Sequence, residues 1–135
     1  MFERKAFLIC PVRDYDEEKT KVFMERIEKA GWTVHWPPRD TNQDDDTGLK
    51  ICTENWLAIK EAEVVYFVWD GKSQGCLFDL GMAFSMNKMI IPLEMPDSSK
   101  GKSFQNMVEA YKDKMMHEVY GIEPMYQEFK SEFNE

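Results

Sequence analysis

Several things are scarce in this chain, and each scarcity removes a class of function. Only three cysteines occur, Cys10, Cys52 and Cys76, odd in number and widely spaced, with no C-x-x-C pair. They read as free thiols in a reducing cytosol and not as a disulfide framework. Histidine is rarer still. His35 falls in an alternating strand and His117 on a late helix, neither beside a cysteine or serine motif, so neither is assigned a catalytic role. Basic residues are outnumbered, leaving a formal net charge of -8, which argues against non-specific binding to a nucleic-acid polymer or an anionic membrane. No apolar run approaches the ~20 residues of a membrane span, and the run after Met1-Phe-Glu-Arg-Lys is too short for a signal peptide. A soluble, cytoplasmic protein is expected. There is no Walker A loop, no GxGxxG fingerprint, no internal repeat and no low-complexity segment.

What is present suits one globular domain over residues 1–135, with 43% apolar and 13% aromatic residues and enough length to bury a core. Lys5 to Val12 reads as a buried strand stopped by Pro11. Asp16 to Ala30 carries Phe23, Met24 and Ile27 at helical spacing, with Gly31 as its C-cap. Trp32 to Trp36 alternates and ends in the rigid Pro37-Pro38. Arg39 to Gly48 is a polar loop whose Asp44-Asp45-Asp46 run reads as a solvated turn and not as a metal site. Leu49 to Glu61 is a second helix. A strand at Val64 to Trp69, a helix from about Cys76 to Met86, a strand at Met89 to Leu93, a loop at Asp97 to Lys102 and a helix at Phe104 to Met116 follow. One further short helix is expected in Tyr120 to Glu135.

Strands alternating with helices predict an α/β fold, a three-layer α/β/α sandwich around a mostly parallel, flavodoxin-like sheet of order 2-1-3-4, with room for a fifth strand. The switch point then falls between the first and third strands. It brings together the loop Cys10 to Asp14 and the loop Asp70 to Gly75.

These two loops hold the most unusual polar residues. Ser73 and Gly75 sit where backbone N–H groups leave the start of a helix, a setting for a phosphate or carboxylate; Ser73 as a simple N-cap and Gly75 as a tight turn are the plainer alternatives. Arg13 offers the cation that an acidic protein needs to hold an anion, unless Asp14 or Asp16 pairs with it. Pro11 and Asp70 belong to the same walls and count as substrate contacts. Asp79 lies among Leu77, Phe78, Leu80, Met82, Ala83 and Phe84. Burying an unpaired carboxylate is costly, so it must face the crevice or find a donor. There it suits attack on an anomeric carbon or acceptance of hydrogen bonds from sugar hydroxyls. Trp36 and Trp69 end strands on the crevice side, where they can stack on a base.

With those residues in view, the chain resembles the nucleoside 2-deoxyribosyltransferase family and its 2′-deoxynucleoside 5′-phosphate N-hydrolase relatives. The resemblance runs from Phe7 to about Pro92. It is carried by Ala62-Glu-Val-Val and by Ser73-x-Gly75-x-x-x-Asp79-Leu-Gly81-Met-Ala83. It implies a flavodoxin-like fold, a homodimer or larger homo-oligomer, no cofactor and no metal. It also implies cleavage of an N-glycosidic bond through a covalent glycosyl–carboxylate intermediate. The serine form of the turn is similar to that of the branch acting on nucleoside 5′-monophosphates. Two positions depart from the family. Its nucleophile is glutamate, whereas Asp79 is shorter by about one C–C bond, ~1.5 Å. Its second acid, counted back without gaps from Glu63, falls on Asn55. Glu54 is adjacent but points roughly 100° away around the helix.

The resemblance therefore implies Asp79 as nucleophile, Asn55 or Glu54 near the base, and Ser73, Gly75 and Arg13 at the 5′ end of a nucleoside or nucleoside monophosphate. The altered pair keeps a second reading open, a catalytically silent mononucleotide-binding module. A third is an assembly protein with a vestigial pocket. A two-fold contact through Phe104 to Met116 is one way to build the expected oligomer.

Overall fold

The computed structural model describes residues 3–120. The chain divides into two compact units, Met1–Pro96 and Asp97–Glu135. In the first unit, β1 (Lys5–Ile9), β2 (Thr33–His35), β3 (Val64–Val68) and β4 (Met89–Glu94) form an all-parallel sheet of order β2-β1-β3-β4, the order that the alternation predicts. No fifth strand is present among the described residues. The short helix expected in Tyr120 to Glu135 falls almost wholly outside them.

The two central strands explain the hydrophobicity of their sequences. Ala6, Leu8 and Cys10 point to one face and pack with Met24 and Ile27 of α1 (Glu17–Lys29), Val34 and Trp36. Phe7 and Ile9 point to the other face and, like Ile59 of α3 (Leu49–Glu61) and Leu80 and Ala83 of α4 (Gln74–Ser85), are fully buried. Helices cover both faces, which is why these strands run apolar instead of alternating. Pro92 lies inside β4, opposite Phe67, and the ladder skips a residue to pair Val68 with Glu94. A residue without an N–H fits at a sheet edge and at such an irregularity.

The helix ends follow from local chemistry. The Asp16 side chain caps α1 by accepting from the Lys19 amide, and the C-cap is Ala30, with Gly31 one residue beyond. Pro37-Pro38, expected to lead straight into a loop, instead opens a four-residue helix α2 (Pro37–Asp40). Proline is favoured in a first helical turn, and the Asp40 carboxylate reaches back 2.9 Å to the Trp36 amide. The Asp44 to Asp46 run serves the next helix: Asp45 accepts from the amides of Thr47 and Ile51. In the second unit, α5 (Phe104–Tyr120) runs one turn longer than expected. No helix among the described residues is long and apolar enough to cross a membrane.

Candidate active site

The loops after β1 and β3 and the facing sides of α3 and α4 enclose a cavity of about 720 Å³. Arg13, Ser73, Gly75, Asp70, Asn55 and Asp79 all line it. Two expected site residues do not. Pro11 is buried between the lining residues Cys10 and Val12. Glu54 is turned to the preceding loop, where its carboxylate accepts from the Asn42 amide at 3.0 Å. The helical offset from Asn55 accounts for this. Trp36 and Trp69 are also absent from the wall. Both are at most 8% exposed, and their indole N–H groups donate to Thr20 Oγ1 and to the Ser73 carbonyl.

The loop after β3 is built by Asp70, whose Oδ1 accepts from the amides of Lys72 (2.9 Å) and Ser73 (2.8 Å). Burial alone would raise the Asp70 pKa, but these two amides hold it below the usual carboxylate range. Gly71 has φ +81°, and a Cβ there would stand 2.9 Å from Pro96 Cγ, so glycine is required twice over. Ser73 then caps α4: its Oγ accepts from the Cys76 amide at 3.2 Å. The cap and the anion site are compatible readings, because the Ser73 hydroxyl still has its own proton to donate. The amides of Gln74 and Gly75 remain unpaired among the described residues, as helix geometry dictates, at the positive end of the α4 dipole. At Gly75 φ is not positive, and a Cβ would meet nothing nearer than Ser73 Oγ at 3.9 Å, so the fold itself does not demand glycine.

Across the cavity, Asp14 adopts φ +53°, a left-handed turn that aspartate tolerates, between Arg13 and Tyr15 on the same wall. Arg13 is exposed and pairs with no carboxylate among the described residues; the pairing with Asp14 or Asp16 is not made. Lys72 adds a second cation. Val12, Ile51, Pro37 and the 57% exposed Phe78 supply apolar surface.

Asp79 sits one and a half turns into α4, 8% exposed. Burial raises its pKa from 3.8 to about 7, against the opposing hydrogen bond from Asn55 Nδ2 at 3.3 Å. Asn55 is itself buried, its Oδ1 accepting from Thr41 Oγ1 at 2.7 Å. Thr41 is delivered by α2, which Arg39 ties to Glu28 of α1. The three cysteines border the same cavity as free thiols. Burial pushes Cys10 and Cys76 up to about 12, so neither is a nucleophile near neutral pH. Among the described residues no group of acidic, histidine or cysteine side chains is arranged to hold a metal ion.

Lys72, Gln74 and Tyr15 are not singled out in sequence, although all three lie within or beside the two loops that are, and Phe78, read there only as an apolar neighbour of Asp79, also lines the wall. Thr41 and Gln43 give no local signal. Gln43 lines the cavity, and Thr41, which follows α2, reaches Asn55 behind the wall.

No protein-family profile and no curated protein sequence matches this chain. Among solved structures, the CMP N-glycosidase BcmB of Clostridium botulinum is similar, with a TM-score of 0.55 and 20% identity over 80% of this chain and 82% of that one. At that identity the likeness is one of fold.

Proposed function

We propose that the cavity binds a nucleoside 5′-monophosphate and that Asp79 cleaves its N-glycosidic bond. The observation that carries this reading is the placement of one buried carboxylate, with a pKa of about 7, in the same cavity as the unpaired amides at the start of α4. The amides of Gln74 and Gly75, the Ser73 hydroxyl and Arg13 receive the phosphate. Ionised Asp79 attacks the anomeric carbon; the bond to the base breaks, its electron pair leaving on the base nitrogen, which takes a proton from water. Water then attacks the anomeric carbon of the glycosyl–aspartate ester, releasing the sugar phosphate and restoring the carboxylate, and its proton neutralises the hydroxide left when the base was protonated. The fold shared with a protein named as a CMP N-glycosidase is consistent with this chemistry. The resemblance noted in sequence implies no cofactor.

The second reading is a mononucleotide-binding module. The specific observation in its favour is that the Asp79 partner is an amide, Asn55, which holds no acidic proton for a leaving base. One experiment separates the two. The protein is incubated with a panel of nucleosides and 5′-monophosphates, and free base is measured by chromatography alongside calorimetric binding. Base release supports the enzyme, and monophosphate binding without release supports the module.

A homodimer also forms part of the proposal. Large apolar side chains stand exposed on neighbouring helices, Leu49 and Trp56 on α3 and Phe84 on α4, and self-association would cover them. Sedimentation of the wild type and of Trp56→Glu tests it, with a monomer expected for the variant.

A further inference from the structure

Behind the Asp79 carboxylate runs a line of polar side chains to which the proposed reaction gives no task. His35 Nε2 lies 2.7 Å from Thr41 Oγ1, Thr41 Oγ1 lies 2.7 Å from Asn55 Oδ1, and Asn55 Nδ2 lies 3.3 Å from Asp79 Oδ2. Thr41 and Asn55 are buried, and the His35 ring is stacked on Phe7 with 5.2 Å between centroids and 7° between planes. The line thus joins β2, the end of α2, α3 and α4.

Counting protons fixes its direction. A hydroxyl has one proton to give, and an amide donates only from nitrogen and accepts only at oxygen. An ionised Asp79 can only accept, so Asn55 must turn Nδ2 towards it. Asn55 Oδ1 must then accept, so the Thr41 proton points to Asn55. That leaves the Thr41 oxygen as acceptor, and His35 must present Nε2–H. With Asp79 protonated this order is no longer compulsory, because its O–H can donate to Asn55 Oδ1 and the amide is free to turn over.

The geometry points to Thr41 and His35 as positioning residues that hold the Asn55 amide with its NH₂ towards Asp79, and so set how readily that carboxylate ionises. The charged groups around His35 are compatible with this. Burial lowers its pKa, Asp40 and Glu54 favour its charged form, and Arg39 opposes them. Glu3, Lys5 and Glu61 border a second cavity of about 390 Å³ on which the ring also opens. A neutral His35 with Nε2–H satisfies the line, and so does a protonated one. Only the Nδ1–H tautomer does not.

The inference rests on Asp79 as the reacting group only for its catalytic consequence, so its test needs no substrate. The Asp79 carboxyl is titrated by ¹³C NMR in the labelled full chain. Losing one oriented hydrogen bond should raise the Asp79 midpoint by about 0.5–1 pH unit in Thr41→Val and in His35→Phe. Thr41→Ser and His35→Gln, which keep a hydroxyl and an N–H donor, should restore it. A merely structural role would lower the melting temperature and leave the midpoint where it was. In the wild type, ¹⁵N shifts above the Asp79 midpoint should report Nε2–H on His35, a measurement that stands even where a variant fails to fold. An unmoved midpoint in both variants, or an Nδ1–H tautomer in the wild type, overturns the inference. Base release with an unmoved midpoint overturns it while leaving the proposed function standing. A moved midpoint in a protein that releases no base does the reverse.

Discussion

The Asn55 amide donates to the Asp79 carboxylate across 3.3 Å, and both side chains are buried in the wall of one cavity. An amide in this position does two things that a second carboxylic acid would not do together. It stabilises the ionised form of its neighbour without competing for the proton, and while that neighbour is ionised it presents its NH₂ and nothing else. Burial nonetheless dominates, and Asp79 titrates near neutrality.

That balance has a measurable cost in stability. The folded-state pKa of Asp79 is raised from 3.8 to about 7, so between these values the folded chain holds a proton that the unfolded chain has lost. The contribution is fully present below about pH 4 and is lost as pH rises to about 7. Three pH units correspond to on the order of 4 kcal/mol. Denaturant unfolding of Asp79→Asn should lack this decline and exceed the wild type at pH 8. Asp45 and Asp70, held below the usual range, exert their pH dependence below about pH 4 and do not mask it. Parallel curves for the two proteins from pH 4 to 8 would place Asp79 in a solvated setting.

The same titration should appear in catalysis. A carboxylate nucleophile must be ionised, so kcat/KM for a monophosphate should rise tenfold per pH unit below a midpoint of about 7 and level off above it. A bound phosphate adds negative charge to the cavity and favours the protonated form. The midpoint for kcat should therefore lie above that for kcat/KM. A falling limb at about pH 7 would instead make Asp79 a proton donor.

The proposed phosphate contacts of the cavity, a glycine and an arginine, can be tested separately. Gly75→Ala places a methyl group where the protein itself leaves space. It should fold as well as the wild type or gain up to about 1 kcal/mol, yet lose on the order of tenfold in monophosphate affinity, or about 1.4 kcal/mol. Arg13→Ala should lose about 10- to 150-fold for monophosphates and little for nucleosides, the worth of one charge-assisted hydrogen bond. Calorimetry showing equal losses for nucleoside and monophosphate would move the phosphate away from this loop.

Reach and proton supply can be separated by restoring the residues of the resembling family. Asp79→Glu lengthens the nucleophile by about 1.5 Å. A misplacement of this size is worth on the order of 100-fold in rate, and raised activity would identify a weakened enzyme. Asn55→Asp supplies an acid beside the leaving base. The double variant is expected to exceed the sum of the single effects, because the two groups touch. A double variant that binds nucleotide and still releases no base leaves only the binding module.

Much of this candidate site was legible in sequence because its walls are local. Val12 to Asp14 and the Asp70 to Gly75 loop are contiguous stretches, although Pro11 itself is not in the wall, and alternating elements of these lengths admit few sheet orders. Two kinds of feature were not legible. The helix at Pro37–Asp40 is shorter than any periodicity can report, and with it went Thr41, whose role depends on where that helix delivers it. Glu54 and Asn55 differ by one position, and only the rotation of α3 decides which of them meets Asp79. Trp36 and Trp69 lie at strand ends, but their indole N–H groups donate to Thr20 Oγ1 and to the Ser73 carbonyl, and neither side chain lines the cavity.

The turn from Asp70 to Ser73 has one more consequence. Two amides are fastened to one carboxylate oxygen, and Gly71 is wedged against Pro96 with no space for a further carbon. A loop built this way is held in one shape, so on the proposed function little conformational entropy should be lost on docking an anion. Its affinity then reflects contact and charge rather than folding, and its association should be limited by encounter and not by rearrangement.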